Sequence, residues 1–318
     1  MVLLFKALAD PLRLRLLNLL CRGELTVQDL TVILGLGQSK ISHHLKILCA
    51  AGVLAVKPQG TWNYYRVVEE NLLFRTIWPE IRNRFEALPE QGADLLALGA
   101  FREQRRRQNL EFFETHARNW DDLAETILPT PDYLPFLLSQ IPPDLDVAEL
   151  GVGTGGLLLE LATKCRRLVG IDHSSAMLTE TKRRLAAAGQ ECDLRLGELT
   201  HLPLADSELD TVLMNMVLHH LQHPAGVMHE VHRVLKPGGA IIIADLQRHQ
   251  YDAVRSTMAD VWLGFEEQEL TTWLLEAGFT VDRVEKFHGK PGDYTVLVIV
   301  ARITQQKSVK ERKQNERG

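Results

Sequence analysis

The sequence, 318 residues long, predicts a multidomain protein in which an N-terminal α+β domain precedes a larger α/β domain. Over residues 1–87, leucines recur at helical spacing and are followed by two strand-like runs joined by a glycine-containing turn. After residue 144, apolar strand-like runs alternate with helical stretches, an order typical of a mostly parallel sheet. The length also suits two domains better than one.

Three N-terminal helices are predicted from leucine spacing and capping residues. Asp10 before Pro11 makes a good N-cap and first-turn pair, and Thr26 can cap a second helix that Gly35 ends. A third helix begins near Ser39, after a short glycine-containing turn. The leucines that define the first helix are Leu8, Leu12, Leu16, Leu19 and Leu20.

The third helix has two contrasting faces. One face carries Ile41, Leu45 and Leu48, whereas the other carries small, hydrogen-bonding and cationic side chains. Two helices joined by a tight turn, the second with such a polar face, fit the major groove of DNA. Lysines there can contact phosphates, and histidine or glutamine can read base edges. The predicted DNA-binding residues are Gln38, Ser39, Lys40, Ser42, His43, Lys46 and, from the hairpin that follows, Arg66.

A β-hairpin is predicted after the third helix. Its strands cover residues 53–57 and 62–67, and the turn covers residues 58–60. The hairpin has the position of a wing in a winged helix-turn-helix domain, which favours DNA binding. The alternative is a winged helix that binds only protein, since this fold also serves in dimerisation. Of the adjacent His43 and His44, at least one must face the helix core.

These segments, which make up the first predicted domain, resemble the ArsR/SmtB family of winged helix-turn-helix regulators. The resemblance rests on residues 5–17, on residues 42–48 and on Tyr64-Tyr65-Arg66 at the end of the wing. It implies a symmetric dimer on a palindromic operator. Many metal-sensing members carry two cysteines where this chain has Thr26 and Gln28, and these are poor ligands for soft ions.

The second domain contains a glycine-rich turn between a strand and a helix, the run Glu149-Leu150-Gly151-Val152-Gly153-Thr154-Gly155-Gly156. Glycines allow positive φ and close approach of a ligand, and Asp172, at the end of the next apolar run, can accept hydrogen bonds from ribose hydroxyls. The spacing also fits a dinucleotide dehydrogenase. Glu149 favours a cofactor with a cationic amino acid moiety, because its carboxylate would repel a pyrophosphate. We therefore expect S-adenosylmethionine (SAM).

Further motifs follow in order and resemble the class I SAM-dependent methyltransferases, in particular their UbiE-like branch, over roughly residues 110–302. They include Gly197-Glu198-Leu199 and the strand that ends at Asn215, near the expected sulfonium. The resemblance implies a Rossmann-like fold whose last strand is antiparallel. It also implies that Asp172 binds the ribose and that Glu198 and Leu199 contact adenine. The predicted cofactor-binding residues are Glu149, Gly151, Gly153, Gly155, Asp172, Met177, Glu198, Leu199 and Asn215.

Methyl transfer from SAM needs no covalent nucleophile, because the sulfonium is itself the electrophile and catalysis is largely alignment and desolvation. The sequence identifies neither the small-molecule acceptor nor a catalytic residue, for which Asn215 and His219 are the candidates. A second possibility is a sensor that binds SAM or S-adenosylhomocysteine without turnover. Arsenite methylation is a third, but it requires thiols at the acceptor, and Cys165 and Cys192 fall in the cofactor half of the sheet.

Composition and charge fit a soluble globular protein, with 45% hydrophobic and 24% charged residues. The net charge is −5, yet residues 1–90 carry 11 Lys or Arg against 8 Asp or Glu, so a nucleic-acid surface must lie there. The four cysteines lack metal-ligand spacing, and no metal is expected. No apolar run approaches the roughly 20 residues that span a bilayer, and no signal-peptide pattern is present, so a cytoplasmic protein is expected.

Between the two domains, residues 89–92 are predicted to be a break and residues 101–127 a long polar helix. Four apolar side chains of that helix are expected to pack over the second domain: Phe112, Phe113, Trp120 and Leu123. The predicted domains are residues 1–90 for DNA binding and dimerisation, 91–130 for a helical linker, 131–304 for the methyltransferase and 305–318 for a disordered tail.

Overall fold

The computed structural model describes residues 1–127, 130–290 and 294–304. The chain forms two compact units, Met1–Gln108 and Asn109–Gly318. Their boundary lies within the predicted linker, and the predicted domain limits stay a prediction. The tail predicted to be disordered, residues 305–318, lies outside the described residues. No helix among the residues described is both long and apolar enough to cross a bilayer.

The first unit combines helices with a three-stranded antiparallel sheet. Its helices are α1 (Val2–Leu8), α2 (Pro11–Leu20), α3 (Val27–Leu34), α4 (Gln38–Ala50), α5 (Leu72–Asn83) and the first part of α6 (Gln91–His116). Its strands are β1 (Leu25–Thr26), β2 (Leu54–Gln59) and β3 (Trp62–Val67), in the order β1-β3-β2. Fully buried members of its core include Leu16, Leu30, Ile41, Leu45 and Leu48. The predicted α+β class is confirmed.

Capping residues set the helix boundaries of this unit. The Asp10 carboxylate accepts a hydrogen bond from the backbone N–H three residues later at 3.1 Å, and Pro11 begins α2. Thr26 and Asp29 form a capping box at the start of α3. Gly35 ends α3 with a φ of 63°, which glycine adopts without strain. The predicted start and end of α3 are therefore confirmed.

The hairpin of β2 and β3 is confirmed, but its turn is shorter than predicted. Pro58 and Gln59 belong to β2 and pair with β3, which confines the turn to residues 60–61. Gly60 has a φ of 61°, as tight hairpin turns require.

Helix α6 departs from its predicted position. It begins at Gln91, well before the predicted start at residue 101, and the buried Asp94 in its first turn accepts hydrogen bonds from Arg15 at 2.7 and 2.8 Å. It ends at His116, and residues 117–119 form a 3₁₀ turn before the next helix. The single predicted helix is therefore two, and the earlier turns of α6 are fixed by an ion pair that helical periodicity does not reveal.

The second unit is built around a seven-stranded sheet. Its strands are β4 (Asp146–Leu150), β5 (Arg167–Asp172), β6 (Asp193–Leu196), β7 (Leu209–Asn215), β8 (Leu235–Leu246), β9 (Phe279–His288) and β10 (Thr295–Ile303). Its helices, after the end of α6, are α7 (Trp120–Ile127), α8 (Leu134–Ser139), α9 (Gly156–Leu161), α10 (Ser175–Ala187), α11 (Pro224–Val234), α12 (Val254–Thr257) and α13 (Glu267–Glu276). The strand order is β6-β5-β4-β7-β8-β10-β9, and β10 is antiparallel to both neighbours. The predicted sheet with an antiparallel last strand is confirmed.

The sheet topology places a crevice beside β4. Strand β4 lies between β5 and β7, to both of which it is parallel, so the connections leave it in opposite directions. Strands of this kind are buried on both faces, as the fully buried Ile241, Ile242 and Ile243 of β8 illustrate. The carboxyl ends of β4, β5 and β7 therefore bring the residues after Leu150 to the same edge as Asp172 and Asn215.

Candidate functional site

A cavity of about 750 Å³ lies in the second unit at the carboxyl edge of β4, β5 and β7. Most of the predicted cofactor residues line it: Glu149, Gly151, Gly153, Asp172, Met177, Leu199 and Asn215. Two others do not: Gly155 is the N-cap of α9, and Glu198 is exposed outside the lining. The structure thus brings together seven of the nine residues that the sequence singled out.

The glycine-rich turn needs glycine for two separate reasons. Gly151, Gly153 and Gly155 have φ values of 73°, 53° and 80°, in the left-handed region that side chains disfavour. A Cβ on Gly151 would lie 2.3 Å from Cγ2 of Val217, and a Cβ on Gly155 would lie 2.6 Å from Cγ2 of Thr181. Because these positions carry no Cβ, the backbone of the turn is accessible from the cavity.

Asp172 ties this turn to the end of β5. Its Oδ2 accepts a hydrogen bond from the backbone N–H of Gly153 at 2.9 Å, and its Oδ1 accepts one from the N–H of Ser174 at 2.9 Å. A carboxylate oxygen has two acceptor positions, so Oδ2 keeps one for a ligand, whereas Nδ1 of His173 lies 3.5 Å from Oδ1. Asp172 therefore both shapes the loop and can bind hydroxyl groups in the cavity.

Glu149 is a carboxyl group held inside the cavity wall without a counter-charge. Its side chain is only 2% exposed, and burial, together with the charge of Asp172, raises its pKa well above the ordinary value. Its Oε2 makes no hydrogen bond within the part of the chain that the structure describes. A buried acceptor of this kind fits a cationic group in a ligand, which would restore its hydrogen bond and stabilise its ionised form.

Asn215 ends β7 and is held by an aromatic residue that the sequence did not single out. The hydroxyl of Tyr133 donates to Oδ1 of Asn215 at 2.8 Å, and burial, reinforced by the charge of Asp245, raises the pKa of the Tyr133 phenol. This bond fixes the orientation of the amide, so that the Asn215 NH₂ group can donate to a ligand.

Residues from the end of α6 onward cover the cavity, as predicted for this segment. Phe113 and Trp120 line it, with ring centroids 5.2 Å apart. Glu114 accepts hydrogen bonds from the Ser174 hydroxyl at 3.0 Å and from the Ala176 N–H at 3.2 Å, which fixes the end of α6 against the start of α10. The cover therefore brings aromatic rings together with the acidic Asp121 and Glu125 to the cavity, and Glu114 anchors it.

His219 and His220 line the cavity beyond Asn215. Burial lowers the pKa of His219, but the charges of Asp245 and Asp260 and a 2.7 Å hydrogen bond between Nδ1 and Asp245 raise it overall to about 9. Burial lowers the pKa of His220 well below its ordinary value, and the charge of His219 adds to this. Burial raises the pKa of Asp260 to about 7.

In the first unit, most of the predicted DNA-binding residues are exposed to solvent. On α4, Gln38, Ser39, Lys40, His43 and Lys46 are exposed and Ser42 is half-buried, and Arg66 on β3 is exposed. The opposite face of α4 buries Ile41, Leu45 and Leu48. His44 faces Asp10 instead, with Nδ1 3.6 Å from Oδ1, so one histidine of the pair does point inward.

Comparisons with known proteins match each unit separately. A family of bacterial regulatory proteins, the arsR family, matches residues 10–56, and a methyltransferase-domain family matches residues 148–243. The chain belongs to the ArsR-type regulators and carries a class I methyltransferase domain as well. The order of the two matches is the one that the sequence motifs predicted.

Individual relatives of the ArsR-type domain are bacterial and archaeal. The arsenical resistance operon repressor of Bacillus subtilis is 48% identical over 69 residues, which cover 21% of this chain and 66% of that protein. An uncharacterized HTH-type transcriptional regulator of Methanocaldococcus jannaschii is 41% identical over 70 residues, covering 22% and 79%.

The methyltransferase domain has a relative in Mycolicibacterium smegmatis, named as a probable S-adenosylmethionine-dependent methyltransferase. The two are 34% identical over 147 residues, which cover 45% of this chain and 56% of that protein. This chain therefore spans about half the length of that relative and about two thirds of the Bacillus repressor.

Some residues at the methyltransferase domain's cavity were not singled out from the sequence. Tyr133 lines it, and Asp260 lies behind His219 and His220, 41 residues after His219 along the chain. The sequence holds a faint signal for Asp260, an acidic residue directly followed by the apolar run of residues 261–263. Tyr133 lies in a segment whose pairing with Asn215 depends on the tertiary fold.

Proposed function

We propose that the methyltransferase domain binds SAM and transfers its methyl group to a small-molecule acceptor, while the ArsR-type domain binds operator DNA as a homodimer in the cytoplasm. The observation that carries the cofactor assignment is Glu149, a buried carboxyl with an unpartnered Oε2 in the cavity wall. A dinucleotide would bring a pyrophosphate toward this carboxyl and be repelled, whereas the ammonium group of SAM would be attracted.

The cavity residues fit SAM group by group. Glu149 would hold the ammonium group, and Asp172 would accept hydrogen bonds from the ribose hydroxyls. Gly151 and Gly153 would let the methionine end approach the backbone, and Met177 and Leu199 would supply apolar contacts to the adenosine end. Glu198 and Gly155 stand outside the lining, so we propose Leu199 as the principal adenine contact of its motif.

When bound, SAM supplies a methyl group on a sulfonium, an electrophile that needs no further activation. The protein's part is to align the acceptor and to exclude water. Phe113 and Trp120 provide the apolar cover, and Tyr133 fixes Asn215 so that its NH₂ group can position the reacting partners. We propose Asn215 as a positioning residue and leave the acceptor as a small molecule of undefined class.

Arsenite is a poorer candidate for the acceptor. Its methylation needs reactive thiols beside the methyl donor, and no cysteine is among the residues that line the cavity in the described part of the chain. Burial raises the pKa of Cys165 and, to about 12, that of Cys192, which makes the reactive thiolate scarce at neutral pH.

A sensor is the second candidate function, and helix α6 favours it. The first turn of α6 is bonded to Arg15 in the first unit, and its last turns carry Phe113 into the cavity lining of the second. The beginning of α6 belongs to the first unit and its end to the second. We propose that a ligand in the cavity influences the first unit through this helix. Such coupling requires only that the ligand bind two conformations with different affinity.

One experiment distinguishes the two functions. Labelled DNA from upstream of the coding sequence is titrated with full-length protein, with and without SAM or S-adenosylhomocysteine, and methyl release onto a metabolite pool is followed in the same sample. Methyl release with unchanged operator affinity supports the enzyme. Operator affinity that changes with ligand, without methyl release, supports the sensor. Absence of both SAM binding and operator binding would refute the proposal.

The Asp172→Ala variant tests the assigned cofactor site. It removes both the ribose acceptor and the anchor of Gly153, so SAM affinity should fall by about 1–3 kcal/mol, measured by isothermal titration calorimetry. Asp206→Ala, which removes an exposed carboxylate paired with Arg233, is the control and should bind SAM normally. Unchanged affinity in the Asp172 variant would remove the basis for the assigned orientation.

A further inference from the structure

Three polar side chains meet at the cavity wall beyond the proposed cofactor contacts. His220 Nδ1 lies 3.4 Å from Asp260 Oδ1, and His219 Nε2 lies 3.9 Å from the same oxygen. One nitrogen from each histidine and one oxygen of Asp260 all lie within 4.8 Å of one another. The residues are 1%, 8% and 4% exposed, in the order His219, His220 and Asp260. The fold thus assembles two imidazoles and a carboxylate in a buried cluster, which we call the His-His-Asp cluster.

Four polar atoms of this cluster lack hydrogen-bond partners among the described residues. His219 Nε2, His220 Nδ1 and both carboxylate oxygens of Asp260 are buried without a hydrogen-bond partner among the described residues. Leaving one buried polar group unsatisfied costs about 1–3 kcal/mol, and four such atoms in one place are unusual in a native structure. A single bound group that accepts electron pairs from all three side chains would satisfy them together.

His219 is already oriented for such a role. Its Nδ1 bonds to Oδ1 of Asp245 at 2.7 Å, and Oδ2 of Asp245 accepts from the backbone N–H of Leu218 at 2.8 Å. Because a carboxylate can only accept, Nδ1 carries the hydrogen and Nε2 can present a lone pair to the cluster. A carboxylate behind a histidine is the usual arrangement at metal sites, where it fixes the ring and raises the basicity of the ligating nitrogen.

The segment that carries Asp260 is also held in place. The backbone N–H groups of Val261 and Trp262 donate to the carbonyl of His219 at 2.9 and 3.0 Å. Ala259, directly before Asp260, has a φ of 57°, which a non-glycine residue adopts only when its surroundings impose it. The carboxylate is therefore directed at the two histidines by the fold.

Charge and distance both favour a divalent cation. Asp245 and Asp260 place two buried carboxylates at the cluster, and Arg255 is a cation close enough for its charge to lower the pKa of Asp260. With metal–ligand bonds of about 2.1 Å in tetrahedral geometry, neighbouring ligand atoms lie about 3.4 Å apart. The His220–Asp260 distance already has this value, and the His219–Asp260 distance needs to shorten by about 0.5 Å.

We propose that His219, His220 and Asp260 bind one divalent transition-metal ion, such as Zn²⁺ or Fe²⁺, at the wall of the methyltransferase cavity. Two imidazoles with one carboxylate suit these ions, whereas Mg²⁺ and Ca²⁺ prefer oxygen ligands throughout. Three protein ligands leave a coordination position for water or for an atom of a small molecule in the cavity. The site is distinct from the ArsR-type domain and does not depend on methyl transfer.

The first test measures bound metal directly. Full-length protein is stripped with a chelator and dialysed to equilibrium against Zn²⁺, and bound zinc is counted by mass spectrometry. We expect one zinc per chain to be bound by the wild type, and we expect His220→Ala and Asp260→Asn to bind none. His229→Ala, which removes an exposed histidine on α11, is the matched control and should keep the zinc.

The second test needs no variant and therefore holds even if the substitutions disturb folding. X-ray absorption at the zinc edge of the loaded wild type should show two imidazole ligands. Substoichiometric zinc in the wild type, zinc retained by both cluster variants when circular dichroism shows them folded, or an absorption spectrum without imidazole would overturn the proposal.

Discussion

Glu149 and Asp172 are both acidic and both line the same cavity, but their surroundings give them different properties. Asp172 accepts hydrogen bonds from two backbone N–H groups, which tie it to the glycine-rich turn and to the start of α10. Glu149 has an unpartnered oxygen in a buried position, and its pKa is raised. Asp172 therefore shapes the empty loop, whereas Glu149 has its full effect only when a cationic ligand is present.

The first prediction concerns pH and Glu149. Its folded-state pKa lies above the value of the unfolded chain, so its contribution to stability is present below about pH 4.5 and is lost as pH rises toward the folded pKa. Glu149→Gln avoids this loss. As pH rises above about 4.5, the ligand-free variant should therefore gain stability over the wild type by up to about 1.4 kcal/mol per pH unit until the folded pKa is reached. Urea denaturation at several pH values measures the difference.

The same substitution, which should raise the stability of the ligand-free protein, should lower its affinity for SAM. Glu149→Gln should weaken SAM affinity because it removes the charge that faces the ammonium group. Glu160→Gln, an exposed position on α9, serves as the control for both measurements. A stability difference between Glu149→Gln and the wild type that does not vary with pH would show that Glu149 is not desolvated in the ligand-free protein.

At the scale of elements, the strand–turn–helix around Gly151 and the helix α4 carry the two proposed binding functions. The turn depends on bare backbone beside Val217, and the helix depends on the separation of its apolar and polar faces. In both elements the local geometry explains the sequence pattern. Single substitutions in the turn should therefore affect SAM binding, and single substitutions on the polar face of α4 should affect operator binding.

Gly151→Ala should destabilise the methyltransferase domain by at least about 2 kcal/mol and abolish SAM binding. The new Cβ meets both a φ of 73° and Cγ2 of Val217 at 2.3 Å. Adding Val217→Ala removes the 2.3 Å contact but leaves the Cβ of residue 217 at 2.9 Å and the backbone strain, so the double variant should recover only part of the stability in a double-mutant cycle followed by thermal denaturation. Gly226→Ala, on α11 with no atom near the added Cβ, should be neutral.

Lys40→Ala and Lys46→Ala should weaken operator binding similarly for all DNA sequences. Each substitution should also reduce the slope of log affinity against log salt concentration by about one for each phosphate that the side chain neutralises in the wild type. Fluorescence anisotropy across a salt series measures this slope. Lys182→Ala, which removes an exposed lysine of α10 in the second unit, is the control. It should leave the slope unchanged if DNA binds only the polar face of α4.

At the scale of the whole molecule, the chain is two compact units, each with a hydrophobic core of its own. Separate cores allow separate unfolding transitions, and ligands that bind one folded unit should stabilise that unit. Helix α6 is the element that contributes residues to both units. Thermal unfolding therefore reports whether the two units act independently.

The last prediction concerns the separate unfolding of the two units. SAM at about 100 times its Kd should stabilise the methyltransferase domain by about 2.7 kcal/mol and raise only one of two calorimetric transitions, whereas operator DNA should raise the other. A shift of both transitions by SAM would favour the sensor over the independent enzyme. A single transition that neither ligand moves would contradict both proposed binding functions.

The sequence by itself determined the order of the two domains, the capped helices of the first, the glycine turn and the strand-end residues Asp172 and Asn215. These features are local, since φ preferences, capping bonds and apolar periodicity involve residues close together in the chain. Only the tertiary structure decided that Oε2 of Glu149 has no hydrogen-bond partner among the described residues, that Tyr133 holds Asn215, that Glu198 stands outside the cavity lining, and that Asp260 meets His219 and His220. Burial and contact between distant segments depend on how the whole sheet and its connections pack, and no local pattern encodes them.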